Sequence, residues 1–149
     1  MADQTGSVSH AIAGLARQYR ALATRLLREA GLHPGQELVM MHLWDHGPRR
    51  QTCLCAELGA DSATMTRTVQ RLEKAGFVRR APDPCDGRAT LVEPTTASHA
   101  LRLSVERSCA ELEEAATAGM KAAERADCLR VLGRLEANLA TRGGKPDRD

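Results

Sequence analysis

Apolar residues recur at Val8, Ile12, Leu15, Tyr19, Leu22 and Leu26, in alternating steps of four and three. That period lays one apolar stripe along a helix over 8–30, close to heptad spacing. Gly31 closes it as a C-cap. Pro34 suits the first turn of a second helix, roughly 34–46, which stops at Gly47-Pro48. A short third helix is expected over roughly 51–58 and a fourth over roughly 62–75. Between them, Glu57-Leu58-Gly59-Ala60-Asp61-Ser62 is a turn, with Asp61 or Ser62 as the next N-cap and Gly76 as the stop.

The period then changes. Phe77-Val78-Arg79-Arg80-Ala81 and Ala89-Thr90-Leu91-Val92-Glu93 read as two strands. Pro82-Asp83-Pro84-Cys85-Asp86-Gly87 is dense in turn residues and predicts a hairpin with a long tip. Arg49-Arg50-Gln51 supplies at most a strand stub. Pro94 cannot donate to a ladder and is expected to shorten the second strand. Pro94-Thr95-Thr96 opens a fifth helix, capped by Thr95 or Thr96, with Leu101, Val105, Leu112 and Ala116 on its apolar face. A sixth helix, roughly 123–141, carries Leu129, Leu132, Leu135 and Leu139. The expected fold is mainly α with a small β-hairpin: one domain over 1–149, with a winged helix-turn-helix lobe at 34–93. Helices at 8–30 and 95–141 flank it, and 142–149 is a disordered tail. The flanking stripes have little central core to pack on, so a second copy of the chain is their expected cover.

Composition narrows the function. A chain of 149 residues suits a single compact domain. No apolar run approaches the roughly 20 residues a membrane span needs. The start, MADQTGSVSH, lacks the basic stretch and apolar core of a secretory signal, so a cytoplasmic location is expected. Tyr19, Trp44 and Phe77 are the only aromatics, too few for a base-stacking platform. The five cysteines include no CxxC pair, which disfavours a zinc ribbon or a thiol oxidoreductase. There is no Gly-rich phosphate loop and no nucleophile elbow, so an enzyme is not expected. Residues 49–92 hold eight basic residues against five acidic ones, while the rest holds thirteen against fourteen. A basic centre between near-neutral flanks fits an anionic partner docking at the middle.

Advancing 100° per residue along the fourth helix places Met65, Val69 and Leu72 on one side. Ala63, Arg67, Gln70 and Lys74 face the other, flanked by Thr64 and Arg71. Small residues at the helix start allow close approach to a major groove, and Arg and Gln offer paired hydrogen bonds to guanine and adenine edges. The competing reading is an ordinary solvated face. Asp86-Gly87-Arg88 shifts the balance: Arg88 can enter a narrow minor groove, and Asp86 can support the wing by holding its guanidinium. The runs Ala60-Asp61-Ser62-Ala63-Thr64-Met65-Thr66-Arg67, Arg71–Arg80 and Asp83–Val92 resemble the recognition helix and wing of MarR-type transcriptional regulators, whose wing is marked by Asp-x-Arg before a strand. The resemblance implies a homodimer knit by the first, fifth and sixth helices. It also implies a pseudo-palindromic operator on double-stranded DNA, with release by a small-molecule effector or an oxidant. By position, Ser62, Thr64, Thr66, Arg67 and Arg71 would contact DNA from the helix and Arg88 from the wing; the face itself adds Gln70. Where the family has Leu-Thr-x-x-Gly after the wing, this chain has Pro94-Thr95-Thr96-Ala97-Ser98.

The signal input is less legible. Arg17, Tyr19, His42 and Trp44 are the candidate lining of an effector pocket that the resemblance implies. Cys53 and Cys55 point about 200° apart on a helix and cannot chelate one ion, so one could be core and the other exposed. Cys53, near a helix start and beside Arg49 and Arg50, is the candidate redox thiol; small buried packing residues are the favoured alternative. The family's peroxide-sensing branch has its cysteine in the first helix, where this chain has none. His42 and His46 have i, i+4 spacing, but surface and helix-end histidines explain them, and no metal or other cofactor is expected. Beside the repressor stand two alternatives: a thiol- or metal-responsive regulator of the same fold, and a winged-helix module that binds protein.

Overall fold

A computed structural model describes residues 6–143. The elements are α1 (Val8–Leu27), a 3-10 turn at Arg28–Ala30, α2 (Gln36–His46), β1 (Arg49–Arg50), α3 (Gln51–Leu58) and α4 (Ser62–Lys74). There follow β2 (Val78–Asp83), β3 (Asp86–Pro94), α5 (Thr96–His99), α6 (Arg102–Ala116) and α7 (Ala122–Gly143). They fall into two compact units, divided after Leu112.

The first unit holds the core. Leu27 and Leu32, then Val39, Met40 and Leu43 of α2, Leu54 of α3, and Met65, Val69 and Leu72 of α4 pack with Val78, Val92 and Val105. The three-helix arrangement thus closes on the sheet through one contiguous apolar cluster. The sheet is antiparallel with β3 in the middle, in the order β1-β3-β2. The two-residue β1 pairs Arg49 with Val92 and Arg50 with Leu91, which confirms the stub.

Several boundaries differ from expectation for local reasons. Pro34 lies before α2, not in it. Gly35, at φ 97°, is the N-cap, and the Glu37 carboxylate accepts its N–H at 2.7 Å. The hairpin tip is short: Asp83 pairs with Asp86 across Pro84-Cys85. Asp83 Oδ1 accepts the Cys85 N–H at 2.9 Å, so an aspartate-closed turn replaces the expected long loop. Pro94 does not shorten β3; it pairs with Val78, and the next residue carries the ladder on, Thr95 N–H donating to Phe77 O. The single fifth helix is two: Thr95 caps α5, which ends after His99, and α6 starts at Arg102. Within α5 the buried Ser98 hydroxyl donates back to Thr95 O and accepts from the Trp44 indole. Val105 and Leu112 of α6 are buried, but Ala116 is exposed.

The outer half of α1 presents Val8, Ile12, Leu15 and Tyr19 at the surface, while Leu22 and Leu26 pack on the core. The second unit consists mainly of α7, whose first turn is closed by Glu124 accepting the Lys121 N–H. That helix buries none of its residues, and Leu129, Val131, Leu132 and Leu139 stand exposed. Arg142 and Gly143, expected in a tail, belong to α7; the remainder of that segment lies outside the described residues. Among the described residues no helix is long and apolar enough to cross a membrane.

Candidate nucleic-acid interface

The turn between α3 and α4 is built from Gly59, at φ 66°, and Asp61. Only glycine takes that left-handed conformation cheaply. Asp61 Oδ1 accepts the Thr64 N–H and Oδ2 the Thr64 hydroxyl, both at 2.8 Å. Those bonds, with the Arg67 charge contributing less, hold the Asp61 carboxyl below its ordinary value. The folded state therefore prefers the ionised cap. Its stabilisation is present above the unfolded pKa near 3.9 and is lost as pH falls through the depressed folded value. Asp61→Ala is expected to lower Tm at neutral pH by about 5 °C. The gap from the unmodified chain should narrow in melts at pH 3; a gap that widens there would contradict the cap's charge dependence.

With α4 so seated, its two faces separate as the 100° projection requires. Met65, Val69 and Leu72 are buried, and Ser62, Ala63, Thr64, Arg67, Gln70, Arg71 and Lys74 are exposed. Thr66 is different from its expected companions. It is half-buried, its hydroxyl donates to Ser62 O, and it accepts from Gln51 Nε2 at 2.7 Å, tying α3 to α4. Sequence alone does not single out Gln51; only the packing of two helices puts it opposite Thr66.

Arg88 is exposed on the wing, in the third position of β3. Asp86 does not hold its guanidinium, contrary to expectation. Asp86 Oδ1 accepts the Arg88 backbone N–H at 3.1 Å, and Oδ2 lies 3.8 Å from Arg50 Nη2. The two-residue turn brings this about, because it commits the carboxylate to the backbone that follows it. The close ion pair at the tip is instead Arg50 with Asp83, at 2.6 Å. The Cys85 N–H and then the Arg50 guanidinium hold the Asp83 carboxyl below its usual range. At the wing's base Glu93 pairs with Arg79, and Glu73 of α4 with Arg80.

The remaining candidates disperse. Arg17 and Tyr19 are exposed on α1. His42 bonds Glu57 of α3, and the buried Trp44 donates to Ser98 of α5 at 3.3 Å. His42 and His46 stack at 4.4 Å, and among the described residues no group of three or more His, Cys, Asp or Glu is placed to hold a metal ion. Cys53 is exposed and Cys55 half-buried against the core, so the packing reading holds for Cys55 and not for Cys53. The helix turns Leu54 inward, fully buried, and the cysteines on either side of it cannot share that face. Cys85 and Cys128 are exposed too. Burial, and then the charges of Glu37 and Glu106, push the Cys109 thiol up, which disfavours its thiolate. Arg102 braces the same region, bonding Glu106, Asp45 and the Trp44 carbonyl.

The MarR family model matches residues 32–90, the span from the start of the helix-turn-helix to the wing. The HTH-type transcriptional repressor NicR of Pseudomonas putida is 28% identical over 133 residues, covering 89% of this chain and 84% of that protein. Among solved structures, a mutant MarR from E. coli complexed with operator DNA superposes with a TM-score of 0.80 at 22% identity, covering 91% of this chain and 99% of that one. The PcaV transcriptional regulator from Streptomyces coelicolor, in complex with its natural ligand, gives 0.84 at 21% identity, with 92% and 96% covered. Over the helix-turn-helix and wing the chain is thus similar to the MarR family, and its fold is that of the MarR-type winged-helix regulators.

Proposed function

We propose that the chain is a repressor that binds a pseudo-palindromic operator as a homodimer and is released by a small-molecule effector. The observation that carries this is the open outer face of α4. Ser62, Thr64, Arg67, Gln70 and Arg71 are exposed there while the opposite face is fully packed, and Arg88 is exposed on the wing. Thr66 contributes by holding α4 to α3 through Gln51. The open stripes of α1 and α7 support a second copy as the partner, since exposed aliphatic rows at helical spacing favour burial. The domain reading follows: a DNA-binding lobe at 34–93 between dimerisation helices, in a regulator that works without catalysis in the cytoplasm. The resemblance to a ligand-bound regulator supports an effector, with Arg17, Tyr19, His42 and Trp44 as the residues to vary first.

The test is affinity for the DNA upstream of the chain's own gene, measured across a salt series with and without reductant. Tight, sequence-dependent and salt-steep binding is expected. Weak binding, equal on all sequences, would favour a protein-binding module. Loss on oxidation alone would favour a thiol-responsive regulator, for which the exposed Cys53 and Cys85 are the candidates.

A further inference from the structure

A wing places a side chain on DNA only if its tip stands at a fixed position relative to the recognition helix. In this lobe β1 supports only the base of the wing, through Val92 and Leu91. From Pro82 and Thr90 outward the ribbon is two-stranded, and it carries a register shift between Pro82 and Asp83. An isolated two-stranded ribbon is marginally stable in water. The outer wing therefore needs an anchor, and Arg50 has the geometry of one.

Arg50 ends β1 and stands at the N-cap position of α3, so its backbone belongs to the helix-turn-helix. Its guanidinium reaches the tip, with Nε 2.8 Å and Nη2 2.6 Å from Asp83 Oδ2, and Nη2 3.8 Å from Asp86 Oδ2. The other oxygen of each carboxylate holds tip backbone, Asp83 the Cys85 N–H and Asp86 the Arg88 N–H. One guanidinium thus holds the Asp83 carboxylate through two donors and stands at ion-pair distance from Asp86, the carboxylate that takes the Arg88 N–H. A planar fork of donors can serve both; the point charge of a lysine serves one at a time.

We propose that Arg50 is the positioning residue of the wing, tying the tip to the front of α3 and so setting where Arg88 stands relative to Arg67. This role rests on the proposed DNA-binding function. Its test uses the full chain and a duplex enriched by the unmodified chain from a random-sequence library. Arg50→Met and Arg50→Lys are each made alone, with Arg88→Ala and with Arg67→Ala. Groups acting through one another are non-additive, whereas distant independent ones add. Arg50→Met is therefore expected to weaken binding about tenfold alone and about tenfold in the Arg67→Ala background, but hardly at all once Arg88 is gone. Arg50→Lys should recover part of the loss. A loss that persists without Arg88 would make Arg50 a direct phosphate ligand or plain support for the fold, and would overturn the proposal. Unchanged binding by Arg50→Met alone overturns it too. Amide exchange in the DNA-free chain gives a second readout: Cys85 and Arg88 should exchange faster in Arg50→Met, and no acceleration would also defeat it. If the unmodified chain enriches no duplex, the DNA-binding function itself falls and this role for Arg50 falls with it.

Discussion

Replacing Leu132 and Leu139 of α7 by glutamate should leave a folded lobe that no longer dimerises and binds its selected duplex about 10²–10⁴-fold more weakly. Both leucines stand exposed, on a helix that buries none of its own residues. Burying a leucine is worth about 1.5–3 kcal/mol, so a dimer covering two such side chains per copy loses most of its apolar drive when they go. Glutamate adds the cost of desolvating a charge. Neither side chain is buried, so the lobe itself should keep its melting behaviour. The large loss on DNA comes from geometry. Two linked recognition helices convert the second half-site into an intramolecular event, and a monomer forfeits that gain. Sedimentation equilibrium and anisotropy on one preparation check both halves of the expectation. A variant that remains dimeric would show that another surface joins the copies.

Arg67→Ala carries the second large effect, a loss of about 1–3 kcal/mol in specific binding, or roughly fivefold to 150-fold. Arg67 is exposed at the centre of the outer face of α4, on a helix fixed at its start by the Asp61 cap and along its inner side by Met65, Val69 and Leu72. A base-reading arginine is distinguished from a phosphate-binding one by where the loss falls. Arg67→Ala should erase the difference between the selected duplex and a scrambled one. Arg88→Ala should weaken binding with a shallower salt dependence, by a slope of about 0.9 for each phosphate it no longer neutralises. Equal loss on both duplexes for Arg67→Ala would move it from reading bases to neutralising phosphates. Unchanged affinity in both variants would remove the assignment of helix and wing.

The elements of the lobe were legible because their signals are local. The 3.6-residue period exposes the buried row of α4, glycines mark the helix ends, and aspartate marks the cap. The spans of α3 and α4 match expectation almost residue for residue, apart from the last turn of α4, where Ala75 is the cap and not a helical residue. What remained illegible depended on partners distant in the chain. That Asp86 grips backbone and not the Arg88 guanidinium follows from a two-residue turn, whose length is set by strand register. That Arg50 reaches the wing follows from β1 lying beside β3, where Arg50 pairs with the remote Leu91. The bond that holds α5 to α2 comes from Trp44, 54 residues before Ser98. The spacing of Cys53 and Cys55 allowed one to face the core and the other solvent, but composition did not say which. A small apolar residue type is usually buried, but two of them flanking Leu54 cannot both follow it inward.

The single tryptophan gives the molecule an optical probe of its own. Trp44 is the only indole in the chain, it is buried, and its N–H is held by Ser98 at the joint between α2 and α5. Its emission therefore reports one place: the seam between the helix-turn-helix and the segment that leaves the wing. Opening that seam would let water reach the ring and shift the emission to the red, whereas a rigid lobe would keep its spectrum while bound DNA or a small molecule acts elsewhere. A titration of unlabelled protein can thus tell whether an effector works by loosening this joint or by another route.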